Sequence, residues 1–246
     1  MTSTEYENLI ESNTKTMKQM QEAAIHGLAI LAEYRDPETG GHIQRVQNFV
    51  YLIAQYLYEN PTKGYEISER EVELMANSAP LHDIGKVGIS DSILLKPGKL
   101  TAEEFDEMKK HSSYGADAIE KIQFFLGDEK NFLNIAKDIV KHHHERWDGN
   151  GYPDRLKGTK IPLGARIMAI ADVYDALVSK RPYKEPFSQE KAVSIIKEGS
   201  GTQFDSKLVE IFEKLADDFK NIEDMWTMIG LSKEFLSNDT EKNKSL

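Results

Sequence analysis

The chain carries seven histidines, His26, His42, His82, His111, His142, His143 and His144. Most stand beside, or one helical turn from, a carboxylate or another imidazole. In ETGGH, Glu38 and His42 have a spacing that lets both side chains reach one point on the face of a helix start. In HDIGK, the adjacent His82 and Asp83 are expected to close a helix, Gly85 to bend the chain, and Lys86 to return a positive charge to the same place. The tract KHHHERWDG adds neighbouring imidazoles at another helix end, and Asp172 and Asp175 lie one turn apart in ADVYDAL. A single helical histidine is more often packed than liganding, and His26 is read that way. Several together read differently, because buried imidazoles and carboxylates are costly to desolvate unless a cation gathers them. A multinuclear metal site is the economical reading.

The donor set narrows the metal. With no cysteine, the chain can form no disulfide, zinc finger or iron–sulfur cluster. Imidazole and carboxylate donors suit iron, manganese, nickel or zinc alike.

These residues must be positioned by helices, because the apolar residues recur mostly at helical spacing with no tandem repeat. The expected fold class is all-α. Helices are expected at about 4–33, 41–59, 69–82, 101–124, 131–144, 162–179, 188–198 and 206–219. Thr101 and Glu104 have capping-box spacing, Pro162 suits a first turn, and Asp205 stands where an N-cap should. In the long first helix, Tyr6, Ile10, Asn13, Met17, Met20, Ala24, Gly27 and Leu31 follow a four-three step. That seam reads either as a dimerising coiled coil or as one amphipathic helix packed on its own domain. From Lys141 to Pro162 the glycines and prolines demand a long loop. Beyond about Ser232 the polar, tapering composition predicts fraying or disorder.

A net charge of -10 excludes broad electrostatic binding to DNA or RNA. The charge is uneven: residues 141–184 carry 9 basic and 5 acidic side chains, a net of +4, while the segments on either side are net negative. A small anionic ligand belongs at that middle segment. No run of about 18 apolar residues and no secretory signal is readable, which predicts a soluble cytoplasmic protein without a membrane span.

At HDIGK and again at HHERWDGNGYP the sequence resembles the HD superfamily of phosphohydrolases, and specifically its HD-GYP branch, over about Leu28 to Phe219. The resemblance implies an HD-domain helical bundle with an N-terminal long helix. It divides the chain into a dimerising or signalling helix (1–27), a catalytic domain (28–220) and a C-terminal extension (221–246). It also implies a bacterial phosphodiesterase of cyclic dinucleotides, chiefly cyclic di-GMP, with two or three divalent metal ions, often iron (Fe) or manganese (Mn). Position by position it assigns His82, Asp83, His111, His143, His144 and Asp172 as ligands, with His42 a further one. Glu38 matches the carboxylate of members with a third metal. His142 falls outside the pattern. Arg181 and Lys184 match positions that contact phosphate in the family. Partners in the branch include diguanylate cyclase domains reached through the Gly151-Tyr152-Pro153 loop.

The chemistry agrees with the residue types. A phosphodiester needs a hydroxide at neutral pH and a positive clamp, and a pair of metals supplies both, by attack of a bridging hydroxide on phosphorus. Asp83 can bridge because a carboxylate offers two oxygens. Lys86 is read either as stabilising charge on the phosphate or as a structural ion pair to a ligand carboxylate. Tyr152 and Trp147 offer flat surfaces for stacking on guanine, with anchoring of the loop the other reading for Trp147. Two alternatives stand beside cyclic di-GMP hydrolysis to pGpG or GMP. One is hydrolysis of mixed 3',3'-cyclic GMP-AMP, and the other is a catalytically silent signalling module.

Overall fold

The structure is a computed structural model and describes residues 2–34, 41–126, 132–180 and 185–242. Among these residues no strand forms, and the only β pairing is an isolated bridge between Ser200 and Phe204. Helix α1 spans Ser3–Glu33 and is opened by a capping box of Thr2 and Glu5. There follow α2 (His42–Glu59) and α3 (Glu69–Ser78), the latter opened by a Ser68/Glu71 box. Two short 3-10 turns, Ala79–Leu81 and Ile84–Gly88, flank the His82-Asp83 pair. Next come α4 (Asp91–Leu94), α5 (Ala102–Met108), α6 (Lys110–Leu126) and α7 (Phe132–His142). The long loop after α7 ends at α8 (Leu163–Val178), followed by α9 (Gln189–Glu198), α10 (Ser206–Lys214) and α11 (Ala216–Lys242).

The core forms around α2 and α8. On α2, Val46, Phe49, Val50, Ile53, Ala54 and Leu57 are buried at helical spacing; α8 is buried on nearly every side. Phe49 stacks on Phe219 at 4.4 Å between ring centroids and meets the edge of Tyr174 at 5.2 Å. Each such side chain contributes about 1.5–3 kcal/mol by leaving water. A smaller cluster joins Ile25 of α1 to Leu81, Ile119, Ala136 and Val140, fastening the end of α1 beneath the HD turn.

The structure corrects three expectations. The third helix does not reach residue 82: Pro80 lacks an N–H and disfavours α geometry at its predecessor, so the helix tightens to a 3-10 turn after Ser78. His82 and Asp83 therefore sit between turns rather than closing a helix. The expected helix 101–124 is two helices, because α5 buries no residue while α6 must press Ala116 and Ile119 inward. The expected helix 206–219 divides at Leu215, and the second part brings Phe219 to Phe49. The last helix spans Ala216–Lys242.

The first turns of α1 stand away from the core. Residues 4–21 are exposed, and Tyr6, Ile10, Met17, Met20 and Leu31 of the four-three seam are exposed apolar side chains. Packing on the domain begins at Ile25, Ala29 and Ala32.

Candidate active site

Four separate elements deliver the imidazoles. His42 opens α2, His82 lies between the 3-10 turns, His111 stands in the first turn of α6, and His143 and His144 follow α7. Gly85 makes this convergence possible. A Cβ there would lie 1.8 Å from the carbonyl oxygen of His111 and 2.5 Å from the amide nitrogen of Gly115, so only glycine lets the HD turn lie against α6.

Asp83 is the centre. Its Oδ1 lies 3.2 Å from His111 Nε2 and 3.7 Å from His143 Nε2, and its Oδ2 lies 3.3 Å from His82 Nε2 and 2.7 Å from Lys86 Nζ. Burial disfavours its charge, but Lys86, His82 and His143 outweigh that and hold the carboxyl well below the usual carboxylate range. Two groups of donor atoms result, each within 4.8 Å of one another: Asp83, His111, His143 and His144, and beside them His42, His82 and Asp172.

The residues present fit metal ions. The Nδ1 atoms of His82, His111 and His143 meet backbone carbonyls of Ala79, Met108 and Ile139/Val140 at 2.8–3.1 Å. His42 Nδ1 meets Asp175 Oδ2 at 2.8 Å. A carbonyl can only accept, so Nδ1 carries the proton and Nε2 is left to present a lone pair inward. The Nε2 atoms of His82, His111 and His143 and the Oδ1 of Asp83 are buried and make no hydrogen bond. Orphaned buried acceptors facing one another are destabilising unless a cation joins them. Charge is uneven across these imidazoles, and a cation bound at the Nε2 of His82 would displace a proton. Burial opposes charge on His82, yet Asp83 and then Asp172 push it up to about 9, whereas burial pulls His111 down to about 4 despite Asp83. Burial, with the neighbouring imidazoles, also holds His144 well below the ordinary histidine value.

Behind His42, Asp175 is clamped by Arg45, whose Nη2 reaches Oδ2 at 2.9 Å, and all three residues are buried. Arg45 Nη2 also donates to Ser179 at 2.9 Å. Asp175 thus orients a donor of the second group. Glu33, at the end of α1, places Oε1 3.8 Å from His42 Nε2.

The cluster opens onto a cleft of about 980 Å³. Its walls include Tyr152, Asp172, His143 and His144 together with Phe105, Lys109, Lys110, Arg146 and Arg155. Tyr152 lies over His144 at 4.8 Å, and burial raises its hydroxyl well above the ordinary tyrosine value, keeping it a neutral hydroxyl. The loop is shaped from beneath by buried Glu145, which accepts from the Asp154 and Leu156 amides at 2.7 and 3.0 Å. Gly151 is required because a Cβ would meet the Arg146 amide nitrogen at 2.3 Å.

The expected ligands His42, His82, Asp83, His111, His143, His144 and Asp172 thus lie in the two adjoining groups. Glu38, Arg181 and Lys184 lie outside the described residues. His142 turns to Asp154, at 3.2 Å from its Oδ2. Trp147 has the Arg166 guanidinium 5.8 Å from its ring and donates its amide to Gln203, which is the anchoring role. Lys86 is paired with Asp83. Lys109 and Lys110 escaped the sequence reading because they come from a segment whose net charge is negative, and only the fold carries them to the cleft; Glu33 escaped it because only the fold brings the end of α1 to His42. Glu145 escaped because a carboxylate that binds two loop amides has no spacing signature.

An all-helical bundle that gathers imidazoles and carboxylates around one central aspartate defines a class of metal-dependent hydrolase. The HD domain model matches residues 6–208, and the chain belongs to that family. A cyclic di-GMP phosphodiesterase of Vibrio cholerae is 50% identical over 210 residues, covering 85% of this chain and 42% of that protein. A 3'3'-cGAMP-specific phosphodiesterase of the same organism is 40% identical over 212 residues, covering 86% of this chain and 37% of the relative. The chain therefore spans less than half the length of these relatives. A solved HDG"Y"P protein from Bdellovibrio bacteriovorus shares the fold, with a TM-score of 0.53 over 72% of this chain and 51% of that one, at 18% identity. Among the described residues no helix is long and apolar enough to cross a membrane.

Proposed function

We propose that this chain is a metal-dependent phosphodiesterase that hydrolyses cyclic dinucleotides, cyclic di-GMP foremost. The observation that carries the reading is the set of orphaned Nε2 atoms of His82, His111 and His143 converging on the unbonded Oδ1 of Asp83. Asp83, His111, His143 and His144 would hold one divalent ion, and His42, His82 and Asp172 a second, with iron or manganese suited to the donors. Such ions supply an activated water at neutral pH and Lewis-acid stabilisation of phosphate oxygens.

The chain's own residues do the rest. Asp83 joins the two groups through its two oxygens, and the backbone carbonyls behind the imidazoles fix their tautomers. Lys86, 2.7 Å from Asp83 Oδ2, keeps that carboxyl ionised and brings a cation beside the reacting phosphate. The cleft offers Tyr152 as a flat wall for a base and basic side chains for the phosphates. Resemblance to both a cyclic di-GMP and a 3'3'-cGAMP phosphodiesterase supports the dinucleotide class and leaves the second base as the point of difference. Protein purified without oxygen and incubated with each dinucleotide, with products identified by mass, tests the proposal. Linear pGpG or GMP from cyclic di-GMP is expected, and no turnover of either dinucleotide would refute it.

We also propose that α1 pairs with a second copy of the chain, supported by the exposed seam of Tyr6, Ile10, Met17 and Met20. Removing residues 1–20, of which 4–20 are exposed, should then convert a dimer to a monomer in solution sizing. An unchanged mass would contradict the pairing.

A further inference from the structure

The cations on the cleft wall are not equivalent. Lys109 Nζ is paired with Asp106 at 2.5 Å, Lys110 Nζ with Glu107 at 2.5 Å, and Arg146 Nη2 with Asp148 at 3.0 Å. Each has its charge largely compensated by a neighbour on its own segment. Arg155 is different: it lines the same cleft, is exposed, and has no ion pair or side-chain hydrogen bond among the described residues.

Its backbone is also unusual. Arg155 has φ 54°, the only non-glycine residue among those described to lie in the left-handed region. For a side chain with a Cβ this costs about 1–2 kcal/mol, and glycine would occupy the position at no such cost. The strain is held from both sides. Glu145 accepts from the amides of Asp154 and Leu156, the two flanking residues, and the Asp154 carboxylate is bound by Lys141 at 2.7 Å and His142 at 3.2 Å. A buried carboxylate, a lysine and a histidine thus fix the loop so that this one residue projects outward in a conformation suited to glycine. Strain maintained in this way marks a side chain carried for its chemistry.

We propose that Arg155 is a substrate-binding residue for the phosphodiester that is not being cleaved. The assignment rests on the cyclic dinucleotide reading above: such a substrate has two phosphates, and the centred cluster at Asp83 can engage only the reacting one. The planar guanidinium fork matches the two free oxygens of a phosphodiester, and an uncompensated cation on the cleft wall is the group with most to gain from that contact. Arg155 takes no part in the bond-breaking step.

The test is Arg155→Gly, the substitution the backbone favours, with Arg155→Lys as companion. Arg155→Gly should keep metal content and should not lower the thermal midpoint. It should raise KM for cyclic di-GMP about ten-fold with kcat within about two-fold, about the loss of one charge-assisted contact. Arg155→Lys, which keeps the charge and loses the fork, should fall between. Hydrolysis of bis(p-nitrophenyl) phosphate, which has a single phosphate, should be unchanged. The KM rise should be equal for cyclic di-GMP and 3',3'-cyclic GMP-AMP. An unchanged KM for Arg155→Gly, an equal loss on bis(p-nitrophenyl) phosphate, or a rise confined to the substrate with two guanines would each overturn the assignment while leaving the enzyme reading intact. Absence of dinucleotide turnover by the unaltered protein would overturn both.

Discussion

Asp175 shows how one residue supports the candidate centre without belonging to its donor groups. Burial opposes its charge, but His42 and Arg45 outweigh that and hold its pKa at about 2, below the ordinary 3.8. A depressed carboxyl stabilises the fold above its unfolded value and ceases to do so as pH falls through the folded one, so this contribution is complete above about pH 4 and lost towards pH 2. Asp175→Asn should therefore be less stable near neutral pH by about 2 kcal/mol in urea unfolding and show a shallower loss of stability between about pH 4 and 2. Identical pH slopes for the two proteins would contradict the pairing. At this scale the sequence was informative where donors are neighbours, as at His82-Asp83 and His143-His144. Asp175 was visible only as one turn from Asp172, because its partner Arg45 lies 130 residues away. Arg155 was visible only as one positive charge among several, since a left-handed backbone leaves no mark in a residue that is not glycine.

At the scale of elements, the site depends on how closely the HD turn approaches α6. Gly85 faces the His111 carbonyl and the Gly115 amide, and a Cβ at Gly115 would in turn lie 2.5 Å from Val140 Cγ1, so three elements meet with no room for a methyl group. Gly85→Ala should separate the turn from α6, shift Asp83 away from His111, and cost about 1–3 kcal/mol by overpacking. Calorimetry and metal titration would read both effects. Unchanged metal affinity would show that the approach is not what places Asp83. Helix existence was legible from apolar spacing throughout, and the Thr101/Glu104 and Asp205 starts appear as expected. The breaks at Lys109 and Leu215 were not, because each is imposed by what the following helix must bury rather than by a glycine or proline at the break. Pro80 did carry a local signal for the end of α3.

Across the whole molecule, the core around α2 and α8 and the donor cluster share the same two helices: Phe49 and Ile53 face the core while His42 opens α2, and Tyr174 lies two residues from Asp172. Packing of these helices therefore sets the distance between His42 and Asp172. The all-helical class and the order of the two long motifs were readable because each motif is contiguous. The cleft was not, since its walls combine α5, α6 and the loop after α7, and only the loop announced itself by charge. The central claim is that the two donor groups hold cations through Asp83. Elemental analysis of protein purified without oxygen tests it most directly. The account predicts at least two transition-metal ions per chain, falling in a folded Asp83→Ala variant together with dinucleotide turnover. A metal-free protein that is nevertheless active, or an Asp83→Ala variant with full metal content and the parent rate, would contradict it.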